Sequence, residues 1–269
     1  MKFLLHICWS ILLSGLFLSC SHSNHQLQNK LPSGKYQIYL LLGQSNMAGR
    51  GPLTPEYLKM RHDRVMMLDK ENNWVPAKHP LHFDKPKAAG VGPGFSFAEE
   101  IAKAYPNDTI ALVPCAVGGT PISKWEPGAF DKATQTHPYD DAIKRIKEAQ
   151  KKGVIKGAIW LQGEGDSNPA SAALYLARIT TLIERIRKET GEPALPFVAG
   201  ELGRYKIRYK LINDQLALLP QQVPHTGIVS SEGLVHKGDS THFDSPSMVE
   251  YGKRFAKGML LLQEKNKIK

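Results

Sequence analysis

The chain has 269 residues, a formal net charge of +10 and three cysteines. A basic balance can serve nucleic acid, anionic lipid or acidic polysaccharide, but here Lys and Arg are scattered, with clusters only at 144–156, 204–210 and 265–269. No basic helix interleaved with aromatic residues occurs, so the charge reads as a solvated face and nucleic acid drops out as a partner.

Residues 1–20 read as a signal segment: Met1-Lys2 gives a positive start, 3–18 is a short apolar core, and Ser19-Cys20 closes it. Leu16-Phe-Leu-Ser-Cys20 is similar to the lipobox of bacterial lipoproteins, which implies export and a lipid on Cys20. A cleaved signal or a plain membrane anchor are the alternatives. Residues 21–34 are polar and fit a tether. Cys8 falls in the signal and Cys20 in the anchor, so Cys115 stands alone and no disulfide is expected in the domain over 35–265.

The apolar run at 36–42 predicts a first strand, which ends at Gly43 and leads into Gln44-Ser45-Asn46. Residues 51–93, with several prolines and His79-Pro-Leu-His82, read as irregular, either the wall of a cleft or a packed surface loop. A helix is predicted over 94–104, a strand over 109–114 ending in Cys115-Ala-Val-Gly118-Gly119-Thr120, and a helix over 139–152. A strand over 157–161 runs into Gln162-Gly-Glu164-Gly-Asp166, followed by one long amphipathic helix over 170–190. Short strands at 197–200 and 226–230 and a closing helix over 247–263 complete the pattern. Strands alternating with helices, each strand ending in a polar Gly-rich segment, predict an α/β fold with a doubly wound parallel sheet.

Open α/β sheets place ligands at the carboxyl ends of their strands. A serine there becomes a nucleophile only if a base takes its proton and a carboxylate orients that base. Ser45 is the candidate nucleophile, and Asp239-Ser-Thr-His242 supplies the candidate base and acid, three residues apart beside Gly238. Each element taken singly has a structural alternative, a turn serine or a surface Asp–His pair. A zinc set of His236, Asp239 and His242 would leave Ser45 without a role. Gly118-Gly119-Thr120 offers backbone N–H groups, and Gln162 a side-chain amide, for an oxyanion.

Gly43-Gln44-Ser45-Asn46-Met-Ala-Gly, Gly118-Gly-Thr, Gln162-Gly-Glu164 and Asp239-x-x-His242 together resemble the ordered blocks of the sialate O-acetylesterase-like branch of the SGNH hydrolases, which includes the acetylxylan esterases of carbohydrate esterase family 6. The resemblance implies a three-layer flavodoxin-like fold and cofactor-free removal of acetyl groups from acetylated oligo- or polysaccharides. It casts Ser45 as nucleophile, His242 as base and Asp239 as its orienting acid. Ser45, Gly118 or Gly119, and Gln162 would form the oxyanion hole, with Gln44, Asn46 and Glu164 in support. Many relatives carry histidine where this chain has Leu161, which leaves Glu164 without its expected neighbour. On this basis Gln162→Ala should cripple turnover and spare folding. Trp125 is either a sugar-stacking platform or a core residue. The competing functions are a sialate O-acetylesterase, a glycan-binding surface lipoprotein without catalysis, and a lipase or thioesterase.

Overall fold

Why the run Ile38-Tyr-Leu-Leu-Leu42 is apolar at every position is plain from its place: β1 (Tyr36–Gly43) lies inside a sheet covered on both faces. The computed structural model describes residues 36–267. After β1 come β2 (Val65–Leu68), β3 (Trp74–Pro76), β4 (Ile110–Pro114), β5 (Gly153–Leu161), β6 (Phe197–Gly200) and β7 (Thr226–Val229), arranged β3-β2-β4-β1-β5-β6-β7. All neighbours pair in parallel except β2 and β3 at one edge.

The helices are α1 (Ser45–Ala48), α2 (Pro55–Lys59), α3 (Gly94–Ala104), α4 (Pro138–Gln150), α5 (Pro169–Ala172), α6 (Tyr175–Thr190), α7 (Lys210–Gln222) and α8 (Ser245–Lys267). Side chains alternate across a strand. Ile38, Leu40 and Leu42 therefore join a core with Ile146 of α4, Ile179 of α6 and Leu216 of α7. Tyr39 and Leu41 face the other way, into a core with Phe97 of α3 and Phe255 of α8. The result is three layers, helices on both faces of a mostly parallel sheet, as the resemblance implied. No helix among the described residues is long and apolar enough to cross a membrane.

Four expectations need correction. Residues 51–93 are not irregular throughout, for they hold α2, β2 and β3. Val65-Met-Met-Leu68 is short and without alternation, and what holds it is tertiary. The Arg145 guanidinium of α4 donates to the carbonyls of Leu68, Asp69 and Pro114, while Arg64 donates to those of Ala102, Tyr105 and Asp108 at the end of α3. The helix expected over 170–190 is two helices, the first capped by the Asn168 side chain accepting from the Ser171 N–H. Strand β5 begins four residues before the predicted start, with a register irregularity opposite Ile38 and Tyr39. Helix α7 was not predicted: Ile212, Leu216 and Leu219 have helical spacing, but Pro220 lies inside it and reads as a break. The signal segment, Cys20 and the tether lie outside the described residues.

Candidate active site

Strand β1 has β4 on one side and β5 on the other, and the chain builds outward from it in both directions. That is the switch point of the sheet, where a crevice opens beyond the strand ends. Gly43 closes the strand at φ +133°, and a Cβ there would stand 2.2 Å from the Leu161 carbonyl oxygen, so only glycine fits. The Gln44 N–H still pairs with that carbonyl at 3.0 Å. The next residue, Ser45, opens α1, whose first backbone N–H groups have no intrahelical acceptor.

The partner comes from the loop after β7. His236 and Phe243 form an antiparallel bridge that closes the loop. Within it Asp239 Oδ1 accepts the backbone N–H groups of Thr241, at 2.9 Å, and His242, at 2.8 Å. This turns Asp239 and His242 to the same side, as their spacing predicted. His242 Nδ1 lies 2.7 Å from Asp239 Oδ2, and His242 Nε2 lies 3.0 Å from Ser45 Oγ.

Partial burial works to raise the Asp239 carboxyl, but the His242 backbone and ring N–H groups and the Thr241 N–H hold it down at about 2. Burial dominates at His242 and lowers it, against the upward pull of Asp239 and with help from Lys237 and Arg50. The imidazole is thus neutral near neutral pH, the form that can accept a proton.

Asn46 is completely buried. Its Oδ1 accepts the Phe243 N–H at 3.1 Å, and its Nδ2 donates to the Thr241 carbonyl at 3.0 Å and to Glu164 Oε1. Glu164 therefore braces Asn46, and no hydrogen bond joins it to the histidine. Burial pushes its carboxyl up to about 7, with the Asn46 hydrogen bond pulling the other way, and Oε2 has no partner among the described residues. Leu161, in place of the histidine of many relatives, is a fully buried core residue.

One expectation fails on geometry, and two open choices close. Gln162 is fully buried, and its amide is spent on Asp166, the Gln44 side chain and the Thr120 carbonyl. Its carbonyl oxygen accepts from the Tyr175 hydroxyl at 3.0 Å. An amide so engaged cannot aim at an oxyanion, so Gln162 is an internal brace. Gly118 donates its N–H to Asp84 Oδ2 at 2.8 Å. The glycine N–H left without an acceptor among the described residues is that of Gly119, at φ +91°. Trp125 is buried, edge-on to Trp160 at 5.1 Å between ring centroids, with no face for a sugar. The alternative zinc set is not assembled either. His236 Nδ1 accepts the N–H groups of Gly238 and Ser240, and its ring stacks edge-on against Tyr205, away from the His242 contacts.

Residue-type patterns alone missed Arg50 and Asp84. Their side chains are buried and paired at 2.6 Å, and Asp84 fixes the Gly118 turn. Burial works to raise the Asp84 carboxyl, but Arg50 and the Gly118 N–H outweigh it and hold it below the ordinary range. Arg50 follows Gly49 directly after the serine block, and that position was its one sequence signal. Lys237 was missed as well, and its Nζ reaches the Arg50 carbonyl at 3.1 Å and Asp239 Oδ2 at 3.8 Å.

A doubly wound parallel sheet with a hydrogen-bonded Ser–His–Asp chain at its switch point is the framework of a protein able to use a serine nucleophile. Comparison with known proteins narrows the class. The model of the family "Carbohydrate esterase, sialic acid-specific acetylesterase" matches residues 35–261, and the chain belongs to that family of carbohydrate acetylesterases. A probable carbohydrate esterase of Arabidopsis thaliana is 32% identical over 259 residues, spanning 87% of this chain and 94% of that one. The crystal structure of an Arabidopsis thaliana protein, 30% identical, has a TM-score of 0.76 and covers 85% of this chain and 99% of its own. NanS, at 19% identity, has a TM-score of 0.70 and covers 86% of this chain and 98% of its own. A carbohydrate acetylesterase from Xanthomonas citri, at 20% identity, has a TM-score of 0.67, and the match covers 85% of this chain and 57% of that one. The last two speak for the fold alone.

Proposed function

We propose that this protein is a serine esterase that removes O-acetyl groups from carbohydrates, with Ser45, His242 and Asp239 as its catalytic triad. The observation that carries the reading is the unbroken chain Ser45 Oγ to His242 Nε2 at 3.0 Å and His242 Nδ1 to Asp239 at 2.7 Å. His242 Nε2 takes the Ser45 proton as Oγ attacks the acetyl carbonyl carbon. In this reading the Ser45 and Gly119 N–H groups donate to the resulting oxyanion. The ester bond to the sugar breaks, the sugar oxygen takes the proton from His242, and the acetyl group stays on Ser45. Water then gives a proton to His242 and attacks the acetyl-serine, and acetate leaves as Ser45 recovers its proton. No step calls for a cofactor.

A glycan-binding protein without catalysis has no need of such a chain, and a lipase would want an apolar acyl channel where these blocks are polar and Gly-rich. The test is acetate release from acetylated xylan, pectin and sialic acids and from a chromogenic acetyl ester. Activity on at least one sugar substrate, abolished in Ser45→Ala, is expected. The acid limb of kcat/KM should lie below about pH 6.5, because His242 is held below the ordinary imidazole value. Acetate release that survives Ser45→Ala sinks the assignment, and a preference for octanoyl over acetyl esters points to the lipase.

The reading extends to location. Met1-Lys2, the apolar segment and Ser19-Cys20 support an exported protein held at the membrane by a lipid on Cys20. Cys20→Ser should move the protein from the membrane fraction to the soluble fraction, and unchanged membrane retention refutes the anchor.

A further inference from the structure

Ser45 and Asn46 are consecutive in the chain, as are Thr241, His242 and Phe243. The Asn46 carboxamide grips the backbone on both sides of His242, through the Thr241 carbonyl at 3.0 Å and the Phe243 N–H at 3.1 Å. We propose that Asn46 is the positioning residue that sets the Ser45–His242 contact, and that Glu164 is the acceptor that locks the Asn46 amide in its working orientation. The inference rests on the esterase reading above.

The argument is one of donors and acceptors. A carboxamide has one acceptor oxygen and two N–H donors. Around Asn46 stand one donor, the Phe243 N–H, and two acceptors, the Thr241 carbonyl and the Glu164 carboxyl. Both N–H donors are used and the oxygen accepts one hydrogen bond, so the amide cannot flip without breaking all three. Without Glu164, one Asn46 N–H would be buried with nothing to accept it. The neighbouring side chain, Ser45, is joined to His242 by a single 3.0 Å contact. The β1 end and the β7 loop are 197 residues apart in sequence, so no local chain geometry sets that distance. The clip sets it. The same loop is held from the other side by the Tyr205 hydroxyl on the Thr241 carbonyl, at 2.9 Å, so loosening Asn46 shifts the loop without releasing it. Displacing a reacting pair by about 1 Å can cost ~10²-fold in rate.

The test uses the full-length protein and two readouts: acetate-release kinetics, and the rate at which a fluorophosphonate probe labels Ser45, which needs serine activation but no sugar. Thermal melts check folding. Asn46→Ala should lower both kcat and the labelling rate by ~10²-fold, with KM within about twofold. Asn46→Asp, assayed at pH 8 or above, should lose at least as much, because a carboxylate there has no N–H to give the Thr241 carbonyl and faces an ionised Glu164. Adding Glu164→Gln in that background supplies an N–H donor to the new carboxylate and should recover about tenfold, a rescue that a merely space-filling role would not give. Parent-rate labelling by folded Asn46→Ala overturns the proposal, and so does absence of rescue in the folded double variant. Should Asn46→Ala fail to fold, Glu164→Ala decides: a loss of about tenfold in labelling supports the clip, and no loss overturns it. A parent protein that labels but releases no acetate overturns the esterase reading alone, with the clip still judged by labelling rates. A parent that does neither overturns both.

Discussion

Asn46 and Gln162 are both buried carboxamides beside strand ends, yet their surroundings give them different work. Asn46 spans two segments that must meet for a proton to move, whereas Gln162 ties the β1 end to the turns after β4 and β5 and makes no hydrogen bond to the β7 loop. Glu164 adds a titration to the first of these sites. Its carboxyl, pushed up to about 7 by burial, keeps a proton in the folded protein that the unfolded chain has lost by about pH 4.5. Between those values the folded state binds more protons than the unfolded state, so this residue's contribution to stability falls as pH rises through the window. Glu164→Gln, neutral at every pH, removes the effect. Urea unfolding at pH 5 and pH 8 should show the variant gaining on the parent at the higher pH by on the order of 1–3 kcal/mol. A gap between variant and parent that is the same at both pH values refutes the assignment of this titration to Glu164.

Among elements, the end of β5 is heavily braced. Gln162 joins it to Gln44 after β1, to Thr120 after β4 and to Asp166 in the turn that follows β5, while Tyr175 at the start of α6 donates to the Gln162 oxygen. Removing that side chain leaves a cavity and several buried groups short of partners. Gln162→Ala should therefore cost about 2–4 kcal/mol of stability, with kcat close to the parent's when measured well below the melting temperature. A variant that melts like the parent but loses ~10²–10³-fold in turnover would return Gln162 to the oxyanion hole. The same comparison of elements explains where pattern reading stopped. The β1, β4 and β6 runs were legible because parallel strands buried on both faces are apolar throughout. By contrast, β2 and the edge strand β3 are short, and β2 is held by Arg145 reaching from α4 and by Arg64, just before it, reaching to the end of α3, contacts that nothing local in Val65-Met-Met-Leu68 announces.

At the scale of the whole molecule, the sheet order brings four distant segments to one crevice: the β1 end, the glycine turn after β4, the turn after β5 and the loop after β7. Sequence alone determined the fold class, the serine block and the Asp239–His242 pair, because each depends on local chemistry. Periodicity reports burial, glycine reports a turn that excludes a side chain, and a three-residue spacing in a tight loop turns two side chains the same way. What only the tertiary structure decided is which groups are already occupied. Gln162 and Gly118 have the right chemistry for an oxyanion hole but are committed to Asp166 and Asp84. Asn46 and Glu164 gain their role from partners far away in the chain. A hydrogen-bonding group shows in the sequence what it could donate or accept. Whether that capacity is free for a substrate depends on neighbours that folding brings in from elsewhere.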